Sequence, residues 1–141
     1  MKRKRLEDAL HMIAQGAGWY TGFDTFIEGT MHELAHAVLI GRGVIRRNFE
    51  DYIPPHDGWA NRHEVAVMAT QLAALKRLGF HQGIRSASEA VAAAVNTGKT
   101  RIKRRDTVAS CRREILAYKP NPKYVAAIVR AVKNAEKALA R

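Results

Sequence analysis

Cysteine and long apolar runs are scarce in this chain of 141 residues. Its single cysteine, Cys111, rules out an intramolecular disulfide and indicates a reducing compartment. The longest fully apolar run, residues 90–95, is far too short to cross a bilayer. The basic residues 1–5 resemble the start of a signal peptide, but Glu7, Asp8 and His11 interrupt the apolar stretch that such a peptide requires. We therefore expect a soluble, cytoplasmic protein that does not bind membranes.

Acidic residues are also few, because 13 Asp and Glu stand against 24 Lys and Arg, which gives a net charge of +11. A surplus of this size favours polyanionic partners, with nucleic acid first and an anionic membrane surface second. It is equally compatible with a solvated basic surface. The hydrophobic share of 47% is that of an ordinary globular protein, which argues against disorder throughout.

The hydrophobic periodicity indicates helices throughout and no confident strand, so we predict a mostly α protein with little or no sheet. Six helices are expected, over residues 6–15, 25–40, 59–78, 86–95, 106–118 and from 122 onward. Their starts carry three capping signals, which are the capping boxes Thr25 with Glu28 and Ser86 with Glu89, and Asn121 before Pro122. Short strands at residues 44–45 and 52–53 are a weaker alternative to irregular structure.

Residues 30–39 read TMHELAHAVL and match the pattern H-E-x-x-H. On a helix, His32 and His36 lie on one face, one turn apart, so that both imidazoles can bind a single Zn²⁺ ion. Glu33 is rotated by about 100 degrees and can act on a metal-bound water as general base without being a ligand. The apolar stripe of this helix, which contains Met31 and Leu34, lies nearly opposite the histidines. The alternative is a pair of exposed histidines with no shared role.

A catalytic zinc site usually has three protein ligands and leaves one position open. The candidates for the third ligand are Glu64, then His56, then His63. We favour Glu64 because it borders the apolar stripe of the next long helix, where a carboxylate is costly unless it is paired or binds a metal. It could instead be an ordinary boundary carboxylate that pairs with a basic residue.

Histidines that bind a metal commonly donate their second ring nitrogen to a carboxylate or a carbonyl. Glu28, one turn before His32, is the natural candidate for this supporting contact. Capping the start of the helix is at least as good an explanation of Glu28.

These residues resemble the zincin metallopeptidases, in particular the gluzincin pattern of H-E-x-x-H followed by a glutamate on a later helix. Residues 63–72, HEVAVMATQL, resemble the second helix of the ImmA/IrrE-type peptidases. That resemblance implies a zincin-like domain, the ligands His32, His36 and Glu64, and the base Glu33. Residues 55–59, PHDGW, instead resemble the SprT/Spartan-like proteases, which act on DNA-associated proteins. That second resemblance would make His56 the third ligand.

Both families normally carry a β-sheet before the motif helix, and its edge strand holds the substrate peptide. Here only residues 19–23 occupy that place, and this short stretch contains Gly22 and follows Gly16 and Gly18. Peptide hydrolysis is therefore less directly indicated by the sequence than zinc binding is.

Residues 99–113 hold seven Lys or Arg and one acid, Asp106. Such a cluster suits phosphate contacts, although it could also be a solvated basic face. The candidate nucleic-acid-binding residues are Arg101, Lys103, Arg104, Arg105, Arg112 and Arg113.

We therefore expect one domain over residues 1–141, with a metal-site core at about 19–80 and a basic helical part at about 86–141. The leading hypothesis is a zinc-dependent metallopeptidase that acts on a protein or peptide, including proteins associated with DNA. The alternative is a basic, helical nucleic-acid-binding protein with a structural or vestigial zinc site.

Overall fold

The computed structural model describes residues 1–19, 26–41, 57–96 and 107–140, without the side chains of residues 40–41, 57–63 and 95–96. Within these ranges the chain forms six helices and no strand, which confirms the prediction of a mostly helical protein. The helices are α1 (Arg3–Ala17), α2 (Phe26–Gly41), α3 (Asp57–Arg77), α4 (Ile84–Asn96), α5 (Val108–Ala117) and α6 (Pro122–Leu139).

Helix α3 occupies the centre of the fold, because every residue from 65 to 71 is buried. On one side, Val67 and Leu75 belong to a large apolar cluster shared with α1, α2 and α6. On another side, Val65 and Met68 belong to a smaller cluster shared with α4 and α5. A helix that is apolar nearly all round is stable only when neighbours cover it on several faces. The elements packed around α3 therefore hold its side chains, Glu64 included, in fixed positions.

Helix α2 lies between α1, α3 and α6 and contributes its predicted apolar stripe to the large cluster. Ile27, Met31 and Leu34 are buried there, and Val38 packs against them from a partly buried position. This packing fixes the rotation of α2 about its own axis. The other face of the helix, which carries the histidines, consequently points towards α3.

Some of the helix ends follow local sequence signals. Asn121 caps α6 by accepting a hydrogen bond from the backbone N–H of Lys123, and Pro122 is the first helical residue, as predicted. Gly79 follows α3 with a φ of 89°, a conformation that glycine adopts readily, and turns the chain towards α4. The capping box predicted at Ser86 is wrong, because α4 begins earlier, at Ile84.

A capping box also occurs at the start of α5, where the sequence pattern predicts none. Thr107 accepts a hydrogen bond from the backbone of Ser110, and the Ser110 hydroxyl receives one from the backbone of Thr107. This box has Ser110 in place of the usual Glu or Gln, so it does not match the sequence pattern of a capping box. The start proposed for α2 at Thr25 and the strands proposed at residues 44–45 and 52–53 lie outside the described residues.

None of the helices, as far as they are described, combines the length and the apolar character that crossing a membrane would require.

Candidate metal centre

The two histidines of the H-E-x-x-H motif project from the same face of α2. His32 and His36 are one helical turn apart, and their rings meet edge to face with centroids 4.6 Å apart. Their Nε2 atoms are separated by 3.0 Å, which is hydrogen-bonding distance. Both imidazoles therefore aim the same ring nitrogen at a common point beside the helix.

Glu64 is the first residue of α3 whose side chain is described. Its carboxylate lies close to the Nε2 atoms of both histidines. Its Oε2 atom lies 3.3 Å from His32 Nε2, and its Oε1 atom lies 3.7 Å from His36 Nε2. Ligand atoms from the three residues all fall within 4.8 Å of one another, an arrangement that could hold a metal ion. The side chain of Glu64 is only 13% exposed. A carboxylate buried to that degree needs a cationic or hydrogen-bonding environment, which the two imidazoles supply.

The spacing of these atoms suits a tetrahedral ion. Donor atoms that surround one zinc at about 2.0–2.2 Å and at tetrahedral angles lie roughly 3.3–3.6 Å from one another. Here the two Nε2 atoms are 3.0 Å apart, and they lie 3.3 and 3.7 Å from different oxygens of Glu64. With one ligand atom from each residue, all separations are within 4.8 Å. The residues therefore fit a small cation if the Glu64 side chain rotates so that one of its oxygens approaches both nitrogens.

His32 also makes a hydrogen bond through its other ring nitrogen, to one of a pair of hydrogen-bonded glutamines. Its Nδ1 atom donates a hydrogen bond of 2.9 Å to Gln71 Oε1, and Gln71 Nε2 donates one of 2.7 Å to Gln82 Oε1. Gln71 lies on α3, two turns after Glu64, and its side chain is buried. Gln82 is in the turn between α3 and α4 and is partly buried.

Burial and charge push the protonation of the two histidines in opposite directions. Burial opposes the charged form of His32, but its hydrogen bond to Glu64 and the charge of that carboxylate, with help from Gln71, raise its pKa above the usual 6.5. Burial lowers the pKa of His36 to about 4, and the nearby His32 acts in the same direction against the attraction of Glu64. His36 is consequently neutral at neutral pH and keeps a nitrogen lone pair that can bind a cation.

Glu33 is exposed on α2, next to His32, and its negative charge contributes to the raised pKa of that histidine. The partly exposed His32 and the exposed Glu33 together mark the solvent-facing side of the site. The predicted base therefore lies on an exposed side of α2, adjacent in sequence to a partly exposed ligand candidate.

The two alternative candidates for the third ligand, His56 and His63, are described to different extents. His56 lies outside the described residues. His63 belongs to α3 and precedes Glu64, so its Cα is rotated by about 100 degrees from that of Glu64 around the helix axis, but its side chain is not described. Of the three candidates, Glu64 is the one whose described side chain meets the histidine pair.

The supporting contact predicted for Glu28 is made by another residue. His32 Nδ1 faces α3 rather than the preceding turn of α2, and Gln71 accepts its hydrogen bond. The sequence did hold a signal for Gln71, since it follows Glu64 at i+7 and lies on the same face of the helix, within a stretch of mostly apolar residues from 65 to 75. No signal pointed to Gln82, which reaches the site only through the turn after Gly79.

The basic residues predicted to contact nucleic acid are described only in part. Arg112 and Arg113 are exposed on α5. Arg101, Lys103, Arg104 and Arg105 lie outside the described residues. The described part of the structure therefore shows two accessible cations of this group, on a helix that packs against α3 and α4.

Comparisons with protein-family models, with characterised proteins and with solved structures find no match for this chain. The function of the site therefore has to be argued from its own chemistry.

Proposed function

We propose that this chain is a zinc-dependent metallopeptidase whose metal is held by His32, His36 and Glu64. The observation that carries the proposal is the convergence of two imidazole nitrogens and a carboxylate from two helices, with closest separations of 3.0, 3.3 and 3.7 Å. Two histidines and one carboxylate are a common ligand set of catalytic zinc, and three protein ligands leave a position open for the reaction.

Iron can use the same ligand set, as it does in many non-haem oxygenases. Glu33 favours zinc and hydrolysis, because the glutamate between the two histidines is the feature with which H-E-x-x-H sites activate water. Metal analysis that returned iron in place of zinc would contradict this part of the proposal.

When bound, zinc supplies Lewis-acid chemistry, in which it acidifies water and polarises a carbonyl oxygen. With the metal bound, Glu33 would take a proton from the water that forms the new C–O bond and would return it to the amine that leaves as the C–N bond breaks, a role that requires an accessible carboxylate beside the ligands. Glu33 is exposed and adjacent to His32 along α2, which supports this role. His32, His36 and Glu64 hold their donor atoms in place through the packing of α2 against α3.

The peptide substrate follows from the resemblance of residues 30–39 to the zincin motif. Zincins usually hold the peptide along the edge of a β-sheet, and the described ranges contain no strand. We therefore assign the class of reaction to this site and no sequence preference for the substrate. The single, buried Cys111 agrees with a reducing, cytoplasmic location.

The proposal is tested by incubating the purified chain with zinc and a library of quenched fluorescent peptides. We expect cleavage that depends on zinc, disappears with a chelator and returns when zinc is added back. A chain that binds zinc stoichiometrically but cleaves neither these peptides nor an unfolded protein would contradict the peptidase assignment.

A second candidate function rests on a different observation, which is the net charge of +11. A basic protein with a structural or vestigial metal site would bind DNA or RNA through phosphate contacts, so that its affinity would fall steeply with salt. The discriminating result is a salt-dependent mobility shift of DNA that neither a chelator nor His32→Ala changes. Peptide cleavage together with such a shift in one preparation would indicate a protease that acts on DNA-associated proteins.

A further inference from the structure

We propose that Gln71 and Gln82 are positioning residues, which together fix the tautomer and the ring orientation of His32 for metal binding. This inference rests on the proposed metal site. Its physical basis is the chain of two hydrogen bonds from His32 Nδ1 to Gln71 Oε1, 2.9 Å, and from Gln71 Nε2 to Gln82 Oε1, 2.7 Å.

The direction of this chain determines where the hydrogen of neutral His32 lies. Gln82 offers a carbonyl oxygen to Gln71, so the amide group of Gln71 must point its nitrogen towards Gln82 and its oxygen towards His32. An amide oxygen only accepts hydrogen bonds, which means that Nδ1 of His32 carries the hydrogen. In neutral His32 the Nε2 atom, which faces His36 and Glu64, is then the bare nitrogen. In the charged form Nε2 also carries a hydrogen, which it can donate to Glu64.

The burial of Gln71 restricts the orientation of its amide group. Gln71 is only 1% exposed, and a buried amide is costly unless its polar atoms are hydrogen-bonded. Turning the amide of Gln71 around would oppose its nitrogen to the Nδ1–H of His32 and its oxygen to the carbonyl of Gln82. With the amide of Gln82 held as it is, both hydrogen bonds would be lost at once, so Gln82 stabilises the orientation of Gln71 that His32 needs.

The same face of α3 therefore carries a metal ligand and the group that orients another ligand. Glu64 and Gln71 are seven residues apart, close to two full turns, and both reach towards α2. Supporting contacts of this kind typically change metal affinity by about 10- to 100-fold when they are removed. The turn between α3 and α4 thus acts on the site through Gln82, although none of its residues belongs to the ligand set.

The first test uses metal-free protein at alkaline pH, where both imidazoles are neutral. Nitrogen-15 chemical shifts of the histidine rings, with His32 assigned from its Ala variant, report which nitrogen carries the hydrogen. We expect hydrogen on Nδ1 of His32 in the wild type, and a mixture of tautomers or the opposite one in Gln71→Leu. Hydrogen on Nε2 of His32 in the wild type would overturn the proposal.

The second test measures zinc affinity by competition with a chromophoric chelator. Gln71→Leu should weaken zinc binding by about 10- to 100-fold, while Gln71→Glu, which keeps an acceptor for Nδ1, should restore most of the loss. Gln82→Ala should show a smaller decrease with the same change in the ring spectrum. Gln15→Leu, at an exposed position of α1, is the matched control and should bind zinc like the wild type.

Circular dichroism checks that each variant is folded, and Gln82→Ala, in a partly exposed turn, keeps the proposal falsifiable should Gln71→Leu fail to fold. Wild-type affinity in folded Gln71→Leu, or in Gln82→Ala with an unchanged ring spectrum, would overturn it. If the wild type binds no zinc, the proposed function fails, whereas the tautomer of His32 in metal-free protein still decides the positioning role.

Discussion

Glu64 Oε2 lies 3.3 Å from His32 Nε2, across the interface between α2 and α3. The two residues are far apart in sequence, and the helices that carry them are separated by residues 42–56. Because α2 is anchored by its apolar stripe and α3 is buried on several sides, neither helix has to move to bring the carboxylate to the imidazole pair. A metal ion at this point would join the two helices through their side chains.

Replacing Glu64 by Gln should remove the third ligand with little change in size. An amide oxygen is a weaker zinc ligand than a carboxylate, and the variant loses the negative charge that attracts the cation. We expect zinc affinity to fall by more than about 100-fold, beyond the range typical of supporting residues. Isothermal titration of metal-free protein with zinc measures the change.

Glu114→Gln serves as the matched control for Glu64→Gln, since Glu114 is exposed on α5. It should bind zinc with wild-type affinity. If Glu64→Gln binds zinc as strongly as the wild type, Glu64 is excluded from the ligand set. His56 and His63 would then be the candidates for the third ligand.

Replacing Glu33 by Gln should separate metal binding from catalysis. The variant keeps both histidines and Glu64, so zinc content should remain at the wild-type level. Because Gln cannot accept the proton of water, the rate of peptide hydrolysis should fall by about 10²- to 10⁴-fold. Metal analysis and a fluorogenic peptide assay on the same preparation measure the two properties, and undiminished cleavage by this variant would remove Glu33 from its role.

Zinc should stabilise the folded chain, because the ligands come from two helices that are brought together only by folding. At a free zinc concentration 100 times the dissociation constant, the free energy of unfolding should rise by about 2.7 kcal/mol. Thermal unfolding with and without zinc measures this increase, and a chelator should reverse it.

His36→Ala should abolish the stabilisation by zinc, whereas His81→Ala, at an exposed position after α3, should retain it. Equal stabilisation of both variants would mean that zinc binds elsewhere on the chain.

The packing of α3 can be tested independently of the metal. Leu75 is 2% exposed and lies in the large cluster, whereas Leu116 is 63% exposed on α5. Leu75→Ala should lower the free energy of unfolding by about 2–5 kcal/mol, through lost burial and the cavity left behind. Leu116→Ala should change it by less than about 0.5 kcal/mol. Urea denaturation measures both, and similar values for the two variants would contradict the central position of α3.

Much of this architecture could be predicted from the sequence, because helical periodicity and capping are local properties. Asn121 and Pro122 predict the start of α6 correctly. The apolar stripe that contains Met31 predicts which face of α2 is buried. The position of Glu64 at the edge of the apolar stripe of its helix favours it over His63 as the third ligand.

The remainder depended on how the helices pack. Ser86 and Glu89 formed a capping pattern, but Glu89 pairs with Arg85 inside α4, since that helix begins one turn earlier. The role of Gln71 depends on the packing of α2 against α3, which brings His32 to its side chain. Gln82 could not be connected with the site at all, because only the turn after Gly79 brings it near.

The most direct test of the metal centre is X-ray absorption at the zinc edge of the purified chain loaded with one equivalent of zinc. The account predicts a four-coordinate ion with two imidazole nitrogens and oxygen ligands at about 2.0–2.2 Å, and loss of one imidazole in His32→Ala or His36→Ala. A spectrum without histidine ligands, or one that neither substitution changes, would contradict the assignment of His32, His36 and Glu64 as the metal site.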